Sequence, residues 1–300
     1  MVDYPIHSDA DGGAWIDPDN IARFAQAAER AGFSALSFTD HPAPSRKWLA
    51  QGGHETFDPF VALGYVAGVT KTLRLMTYLT VIPYRNPFLS AKSMASVDVL
   101  SGGRSIFVLG TGYLRSEFAA LGVNFEERNA IFDEALLVMR EAWTADEVRH
   151  EGTYFHAYGV AHSPKPVQKP HPPLWLGGNA AIVRQRVADW AQGWAPLLGG
   201  PELLQTARTR SISGLDELAR LIAAVRDDCA AGGRDPSLLD FASGNPEPLP
   251  DGASDEQRID ATGRLAEIGV TWTSLPVSRT SFEAAIDGIE AAAPLITAVG

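Results

Sequence analysis

Cysteine is nearly absent from this sequence, since Cys229 is the only one in 300 residues. An intramolecular disulfide is therefore impossible, and a disulfide-stabilised secreted fold is disfavoured. Long apolar runs are also missing, because no stretch approaches the roughly 20 residues that span a bilayer. The first residues lack the basic start and apolar core of a signal peptide. Together these absences predict a cytoplasmic protein with no membrane association.

Basic residues are in short supply, with 25 Lys and Arg against 36 Asp and Glu and a formal net charge of −11. This balance argues against a nucleic-acid-binding surface and against docking on anionic lipid. A small anionic ligand is not excluded, because helix N-termini and a few local arginines can bind one. We therefore expect a small-molecule substrate.

Several catalytic motifs are missing as well. The seven histidines are scattered without an HExxH or other paired spacing, so no metal site is predicted. A G-x-S-x-G elbow, which would support a serine hydrolase, does not occur. Gly110 and Gly112 lack the third glycine of a dinucleotide fingerprint, which argues against a nicotinamide-binding Rossmann fold.

Strand-like and helical patterns alternate along the chain, which is typical of parallel βαβ units. Asp17 and Pro18 predict the start of a first helix, which ends at Gly32. Further helical patterns include residues 58–69, 90–100 and 131–143. Eight strands in this length favour a closed α/β fold, the (β/α)8 TIM barrel, over an open doubly wound sheet. The candidate strands are residues 2–6, 33–38, 73–82, 105–109, 174–176, 194–197, 238–243 and 270–275.

Two segments interrupt this alternation. Residues 151–173 are rich in proline, histidine and aromatic residues, and we interpret them as an insertion of about residues 150–173 after the fourth strand. Residues 245–252 contain further prolines and a glycine and predict a loop after the seventh strand. Neither segment is typical of a domain linker, so residues 1–300 are predicted to form a single domain.

In such a barrel the active site lies at the C-terminal ends of the strands. This rule selects Asp40 and His41, the stretch from Thr77 to Thr80, and two glycine-containing turns. A histidine can exchange a proton near neutral pH, and an adjacent carboxylate can raise its basicity or bind a ligand. A capping aspartate beside a structural histidine explains the same pair in isolation.

The two glycine-containing turns are Gly110-Thr111-Gly112 and Gly177-Gly178-Asn179. Glycine lets the backbone approach a ligand, and free N–H groups at a helix start bind phosphate. Arg184 and Arg186 follow the second turn and could add positive charge. The first turn offers a wall of small residues against which a flat ring could lie. A plain tight βα turn is the alternative for the second.

The pattern of these residues resembles the luciferase-like monooxygenase family, over nearly residues 14–198. Residues 32–41, 58–67 and 74–87 carry the resemblance, the last with its Pro83-Tyr84-Arg85-Asn86-Pro87. Further matching motifs are Ala91-Lys92, residues 98–104, Gly110-Thr111-Gly112-Tyr113 with Glu117-Phe118, Pro164-Lys165-Pro166-Val167-Gln168, residues 172–179 and Gly193-Trp194.

The resemblance implies a barrel that binds FMN or coenzyme F420 at its C-terminal face, most closely as in the F420-dependent branch. It implies that Asp40 contacts the deazaflavin ring system and that His41 lies near its reactive carbon. The stretch of Thr77, Tyr78 and Leu79 falls where the family often has a non-prolyl cis peptide bond, between Tyr78 and Leu79, which supports the ring. The implied cofactor contacts continue at Gly110, Thr111 and Gly112, which border the ring, and at Gly177, Gly178 and Asn179, which hold the phosphate.

The sequence departs from the sugar-phosphate dehydrogenases of this family at two positions. They have a glutamate proton donor just after the Gly-Thr-Gly turn, where this chain has Tyr113. They also have a tryptophan shortly after the Asp-His pair, where this chain has Pro42-Ala43-Pro44 and only later Trp48. Both departures argue against sugar-phosphate oxidation, and Tyr113 becomes a candidate pocket residue or proton donor.

The leading hypothesis is therefore F420-dependent hydride transfer to or from an organic substrate, with His41 handling the proton. The alternative is an FMN-dependent monooxygenase supplied with reduced flavin by a separate reductase, and a third possibility is a flavin-binding barrel without turnover. A homodimer is expected by analogy with the family. The helices predicted at residues 58–69 and 90–100 are its candidate interface.

Overall fold

The computed structural model describes residues 1–6, 11–247, 249–250 and 252–299. Within these ranges seven parallel strands form one curled sheet, in which neighbouring strands follow chain order apart from an inserted antiparallel hairpin. In chain order the strands are β1 (Val2–Asp3), β2 (Ala35–Phe38), β3 (Arg74–Val81), β4 (Ser105–Gly110), the hairpin strands β5 (Val148–Glu151) and β6 (His156–Val160), and then β7 (Leu174–Gly177), β8 (Gly193–Ala195) and β9 (Asp240–Phe241).

The eighth position of the sheet is occupied by residues 271–275, which form a bridge instead of a regular strand. On one side the backbone N–H of Trp272 donates to the carbonyl of Phe241 at 3.1 Å. On the other side the N–H of Leu275 donates to the carbonyl of Met1 at 3.1 Å, and the Met1 amino group donates to the carbonyl of Thr273 at 2.8 Å. These bonds close the ring, so the predicted (β/α)8 barrel is confirmed with a shorter eighth strand.

Helices follow most strands and cover the outside of the sheet. Those of the N-terminal part are α1 (Pro18–Arg30), α2 (Arg46–Ala50), α3 (Pro59–Val69), α4 (Pro87–Ser101), α5 (Arg115–Ala120) and α6 (Arg128–Thr144). Those of the C-terminal part are α7 (Ala181–Asp189), α8 (Pro201–Thr206), α9 (Leu215–Ala231), α10 (Asp255–Glu267), α11 (Phe282–Ala291) and α12 (Ala293–Val299). Among the described residues no helix combines the length and the apolar character needed to cross a membrane.

Side-chain caps and prolines explain where these helices begin. Asp17 accepts a hydrogen bond from the N–H of Asn20, and Pro18 occupies the first turn of α1, as predicted. Helix α4 begins at Pro87, three residues before the predicted start, because the side chain of Asn86 caps it. The start of α4 is therefore fixed by capping chemistry that the apolar pattern alone does not contain.

Apolar residues fill both the inside of the barrel and the layer between sheet and helices. Met76, Ile106, Val108 and Trp175 lie in the interior with less than 2% of their surface exposed. Because this interior is packed, a ligand has to bind above it, at the mouth formed by the C-terminal strand ends.

The segment predicted as an insertion contains a regular antiparallel hairpin. Its hairpin begins at Val148, slightly before the expected start, and β5 pairs antiparallel with β6. The stretch after the hairpin is tied to the barrel by Gln168, whose backbone N–H and side-chain amide both donate to the buried carboxylate of Asp98, at 3.0 and 2.7 Å. The insertion thus packs on the outside of the barrel, away from the strand ends that follow β2 and β3.

Candidate functional site

Asp40, the first of the predicted catalytic residues, is buried behind the mouth and forms an ion pair. Its Oδ2 accepts from Nη1 of Arg85 at 2.6 Å and from the backbone N–H of Val81 at 3.1 Å. Arg85 also donates to Asp58 at 2.8 Å. Burial raises the pKa of the Asp40 carboxyl, and the charge of Arg85 opposes this rise. These contacts make Asp40 an anchor for the chain that leaves β3.

His41 points its Nδ1 atom at a buried carboxylate. Nδ1 lies 3.1 Å from Oε2 of Glu117, whose side chain has no exposed surface. The same Oε2 accepts from the hydroxyl of Tyr84 at 2.9 Å, and Oε1 accepts from the backbone N–H of Ala43 at 3.2 Å. Burial, followed by the charge of Glu117, raises the pKa of Tyr84, which stays a neutral donor. His41 is therefore part of a buried polar network.

Aromatic rings surround His41 on the side of the mouth. The centroid of its ring lies 4.5 Å from that of Trp48, 5.1 Å from that of His54 and 6.1 Å from that of Tyr113. Gly53 makes room for Trp48, because a Cβ atom at position 53 would approach the indole to 2.4 Å. Burial raises the pKa of Tyr113 to about 12, with the charge of Glu117 adding to the effect. Tyr113 is thus a neutral hydrogen-bond donor beside His41.

The bond between Tyr78 and Leu79 is a non-prolyl cis peptide, at the position that the family resemblance implies. The register between β3 and β4 shifts here, which is typical of a β-bulge. The bulge turns the side chain of Leu79 over two strand ends. A Cβ atom at Gly110 would lie 2.6 Å from Leu79, and one at Gly177 would lie 2.4 Å from it. Both glycines therefore make space for Leu79, which forms the floor of the mouth.

Of the predicted cofactor contacts at Thr77 and in the Gly110-Thr111-Gly112 turn, some have roles within the protein and others are accessible. Thr77 is fully buried and donates to the carbonyl of Val108 at 3.0 Å, which ties β3 to β4. Gly112 has a φ of 75°, and a Cβ there would come within 2.6 Å of Val81, so this turn requires glycine. Thr111 between the two glycines is only half buried.

Asn179, in the second glycine turn, uses its side chain within the protein. Its Nδ2 donates to the carbonyls of Leu197 and Arg210 at 2.8 and 2.7 Å, and its Oδ1 accepts from the N–H of Leu197 at 2.8 Å. Gly178, with a φ of 118°, donates its N–H to Ala195 at 3.0 Å. The side chain of Asn179 therefore holds the loop after β8, and a phosphate at this turn would meet backbone N–H groups.

The start of α7 adds two features to this turn. Its capping position is Ala180, whose methyl side chain cannot accept a hydrogen bond, so no side chain caps the first N–H groups. Arg184 donates to the carbonyl of Asn179 at 2.6 Å and thus lies beside the turn. Arg186 is instead buried against α6, where it pairs with Asp133 at 2.7 Å. Only Arg184 remains as the predicted local positive charge.

The structure brings the predicted residues to one face of the barrel, in two groups. We call the group around His41, Glu117 and Tyr113 the histidine side, and the group around Gly178 and α7 the glycine side. In the described part of the chain, no cluster of three or more His, Cys, Asp or Glu is arranged to hold a metal ion.

The sequence interpretation did not assign roles to three residues of the site, which are Glu117, Tyr84 and Arg85. All three lie in motifs that match the family, but their partners come from other strand ends. Glu117 lies on α5, and its partner His41 follows β2. The signal that could have identified Glu117 is a carboxylate in a short apolar segment next to Phe118, which is itself 1% exposed.

Comparisons with known proteins find similar sequences and a similar fold. The sequence profile of the family described as luciferase-like monooxygenase matches residues 2–246. An F420-dependent hydroxymycolic acid dehydrogenase of Mycobacterium tuberculosis is 30% identical over 224 residues, which are 74% of this chain and 56% of that protein. An FMNH2-dependent dimethylsulfone monooxygenase of Pseudomonas putida is 31% identical over 181 residues, which are 58% of this chain and 48% of that protein. The chain spans about half the length of these curated relatives.

Among solved structures, the monooxygenase RslO1 of Streptomyces bottropensis superposes with a TM-score of 0.80. The superposition covers 99% of this chain and 98% of that one, at 20% sequence identity. At this identity the likeness concerns the fold, and it extends over the C-terminal part that the family profile does not reach.

Proposed function

The chain belongs to the luciferase-like monooxygenase family, and we propose that it is an F420-dependent oxidoreductase. In this proposal a hydride passes between the deazaflavin and an organic substrate, and His41 exchanges the accompanying proton. The observation that carries it is the placement of His41, held by a buried carboxylate at the edge of a mouth with an apolar floor. The F420-dependent relative from M. tuberculosis, matched over 74% of the chain, supports the choice of cofactor.

The residues at the mouth suit a flat ring system with a phosphate-bearing tail. Leu79 offers an apolar platform because Gly110 and Gly177 leave space for it. The uncapped N-terminus of α7 and Arg184 suit an anion at the other end. We propose that the ring would bind over Leu79 and be bordered by the turn at residues 110–112, with the phosphate at residues 177–179. Asp40 would contribute by holding the bulge through the N–H of Val81.

When bound, the deazaflavin supplies a carbon that accepts or delivers a hydride. For oxidation of an alcohol, the hydride of the C–H bond would pass to the bound cofactor while the O–H proton would pass to Nε2 of His41, and reduction of a carbonyl would be the reverse. Because burial raises the pKa of Tyr113 to about 12, its hydroxyl is protonated near neutral pH and can donate a hydrogen bond to the substrate oxygen. Trp48 and His54 cover His41 and reduce the access of water to it.

The second candidate function is an FMN-dependent monooxygenase that receives reduced flavin from a separate reductase. The P. putida relative, an FMNH2-dependent enzyme, favours it. The same floor and phosphate turn would serve FMN, so the two functions differ mainly in the chemistry of the bound ring.

We also propose that the protein is a homodimer that pairs through α3 and α4. Val61 on α3 is 72% exposed, and Leu89 and Leu100 on α4 are 66% and 67% exposed. Burying such side chains against a second copy would remove apolar surface from water. Light scattering after size exclusion would give twice the 32.2 kDa chain mass if the proposal holds, and the chain mass itself would contradict it.

The experiment that tests the function is a parallel titration of the purified protein with F420 and FMN, each oxidised and reduced. Saturable binding of F420 with little binding of FMN would support the proposal and justify a screen of alcohols and carbonyls. A preference for FMN, together with oxygen uptake in its reduced form, would move the assignment to the monooxygenase. Binding of neither cofactor would overturn both functions.

A further inference from the structure

We infer that Glu117 is a positioning residue that determines which nitrogen of His41 carries a proton. The role of His41 in turnover rests on the proposed function, whereas its protonation pattern is a property of the protein alone. The argument starts from three contacts of one fully buried carboxyl group, with His41 Nδ1 at 3.1 Å, Tyr84 at 2.9 Å and Ala43 at 3.2 Å.

Each of these partners can be assigned a direction. The N–H of Ala43 can only donate, and the phenol of Tyr84 donates because its oxygen lies against a carboxylate oxygen. The N–H of Ala43 and the phenol of Tyr84 thus both donate to this carboxyl group, and an ionised carboxylate only accepts hydrogen bonds. His41 must therefore donate from Nδ1, which leaves Nε2 as the atom that gains or loses the proton.

The position of Nε2 fits this assignment. The hydrogen bond given for the His41 ring in the described part of the chain is made by Nδ1, and the ring lies beside Trp48, His54 and Tyr113 at the mouth. A histidine side chain in water prefers the tautomer protonated at Nε2, which could not accept a proton there. Glu117 thus reverses the intrinsic preference of the imidazole and leaves Nε2 as its basic nitrogen.

Nitrogen NMR of the protein without cofactor tests this inference. Protein labelled with ¹⁵N-histidine would be recorded over a pH series from about 5 to 9, which brackets the ordinary titration of histidine. The spectrum of His41→Asn identifies the signals of His41. We expect the neutral ring to show a protonated Nδ1 and an unprotonated Nε2. In Glu117→Gln, whose amide can donate to Nδ1, we expect the proton to move to Nε2.

A matched control is Glu126→Gln, since Glu126 is an exposed glutamate that pairs with Arg115 at 2.6 Å. This variant should leave the His41 signals unchanged. A wild-type His41 protonated at Nε2 would overturn the inference without any variant, so the test does not depend on Glu117→Gln folding. Retention of the Nδ1 proton in a folded Glu117→Gln would overturn it equally.

Kinetics with a substrate found by the screen give a second readout. Glu117→Gln should lower kcat by at least about 100-fold with little change in KM, because the wrong tautomer affects proton transfer and not binding. A large rise in KM with unchanged kcat would contradict a positioning role. If the protein binds neither cofactor, the proposed function fails while the NMR result still decides the tautomer.

Discussion

The histidine side and the glycine side of the barrel mouth are built from different parts of the chain. On the histidine side the groups proposed to act are side chains, because Glu117 and Tyr113 surround His41. On the glycine side the amide of Asn179 is already bound to the loop after β8, so backbone N–H groups remain. Proton transfer requires a titratable side chain, whereas a phosphate can be held by a helix start. Substitutions should therefore impair chemistry on one side and binding on the other.

The largest effect is expected from His41→Ala. Loss of the proton acceptor should lower kcat by on the order of 10³-fold, while the Kd for F420 changes less than about threefold, a difference of under 1 kcal/mol. Steady-state kinetics and an F420 titration measure the two quantities. His150→Ala, in the hairpin, is the control and should retain wild-type kcat. Unchanged turnover in His41→Ala would contradict the assignment of the chemistry to the histidine side.

Arg85→Ala tests how much the buried Asp40–Arg85 ion pair near the histidine side contributes to stability. The change leaves the carboxylate of Asp40 buried at 2% exposure without its ion-pair partner, which should lower the free energy of unfolding by about 3 kcal/mol. Arg23→Ala removes an exposed pair with Glu283 and should cost less than about 1 kcal/mol. Urea unfolding of both variants measures the difference. Equal stability losses would mean that the Asp40 pair is not structurally important.

A double-mutant cycle examines the floor that the two sides share. Gly110→Ala brings a Cβ within 2.6 Å of Leu79 and should destabilise the protein by about 1 to 2 kcal/mol. In a Leu79→Ala background the same change should cost less, with a coupling energy of about 1 kcal/mol. Thermal unfolding without cofactor measures the cycle. Additive losses of stability would show that Gly110 is required for a reason other than the space it leaves for Leu79.

The smallest effect is expected on the glycine side, where Arg184 provides the test variant and Arg186 its control. Arg184→Ala should weaken F420 binding about threefold at low salt, since one local charge near a helix start contributes under 1 kcal/mol. Arg186→Ala should leave the affinity unchanged and lower stability instead, because its guanidinium is buried against Asp133 and Phe132. Titrations of both variants with F420 at two salt concentrations distinguish a loss of affinity from a loss of stability. Reversed effects would relocate the anion site to Arg186.

Sequence patterns predicted the barrel because its units are local. The helix after Asp17 and the strand ending before Thr39 each carry their own period and caps, and both were found close to the expected residues. The eighth strand was expected at residues 270–275, but it is held by hydrogen bonds to Phe241 and Met1 instead of a regular ladder. Bonds between residues so far apart in the chain leave no periodic trace in the sequence.

The site was predictable only in part, for the same reason. His41 and the glycine turns follow strands directly, so the barrel rule located them. Glu117 lies on a six-residue helix, which is too short to show periodicity. Trp48 lies later in the sequence than the tryptophan of the family's sugar-phosphate dehydrogenases, and it reaches the imidazole because α2 carries it there. Trp48 is therefore close to His41 in space although it lies further along the chain than the family pattern places a tryptophan.

The barrel ring has links of unequal strength. Strand β3 pairs with β4 at six positions, whereas β1 with β2 and β8 with β9 pair at two each. The last segment is joined to Ala242 by one bridge at Trp272 and to Met1 by hydrogen bonds of Thr273 and Leu275. A closed ring opens first at its weakest links, so amide hydrogen exchange in the native state should begin around residues 1–3, 240–243 and 271–275. The bulge with Leu79 belongs to the wall that opens last. The floor proposed for the cofactor thus lies on the strands that are expected to open least often, whereas the strands on the opposite side of the barrel open more often.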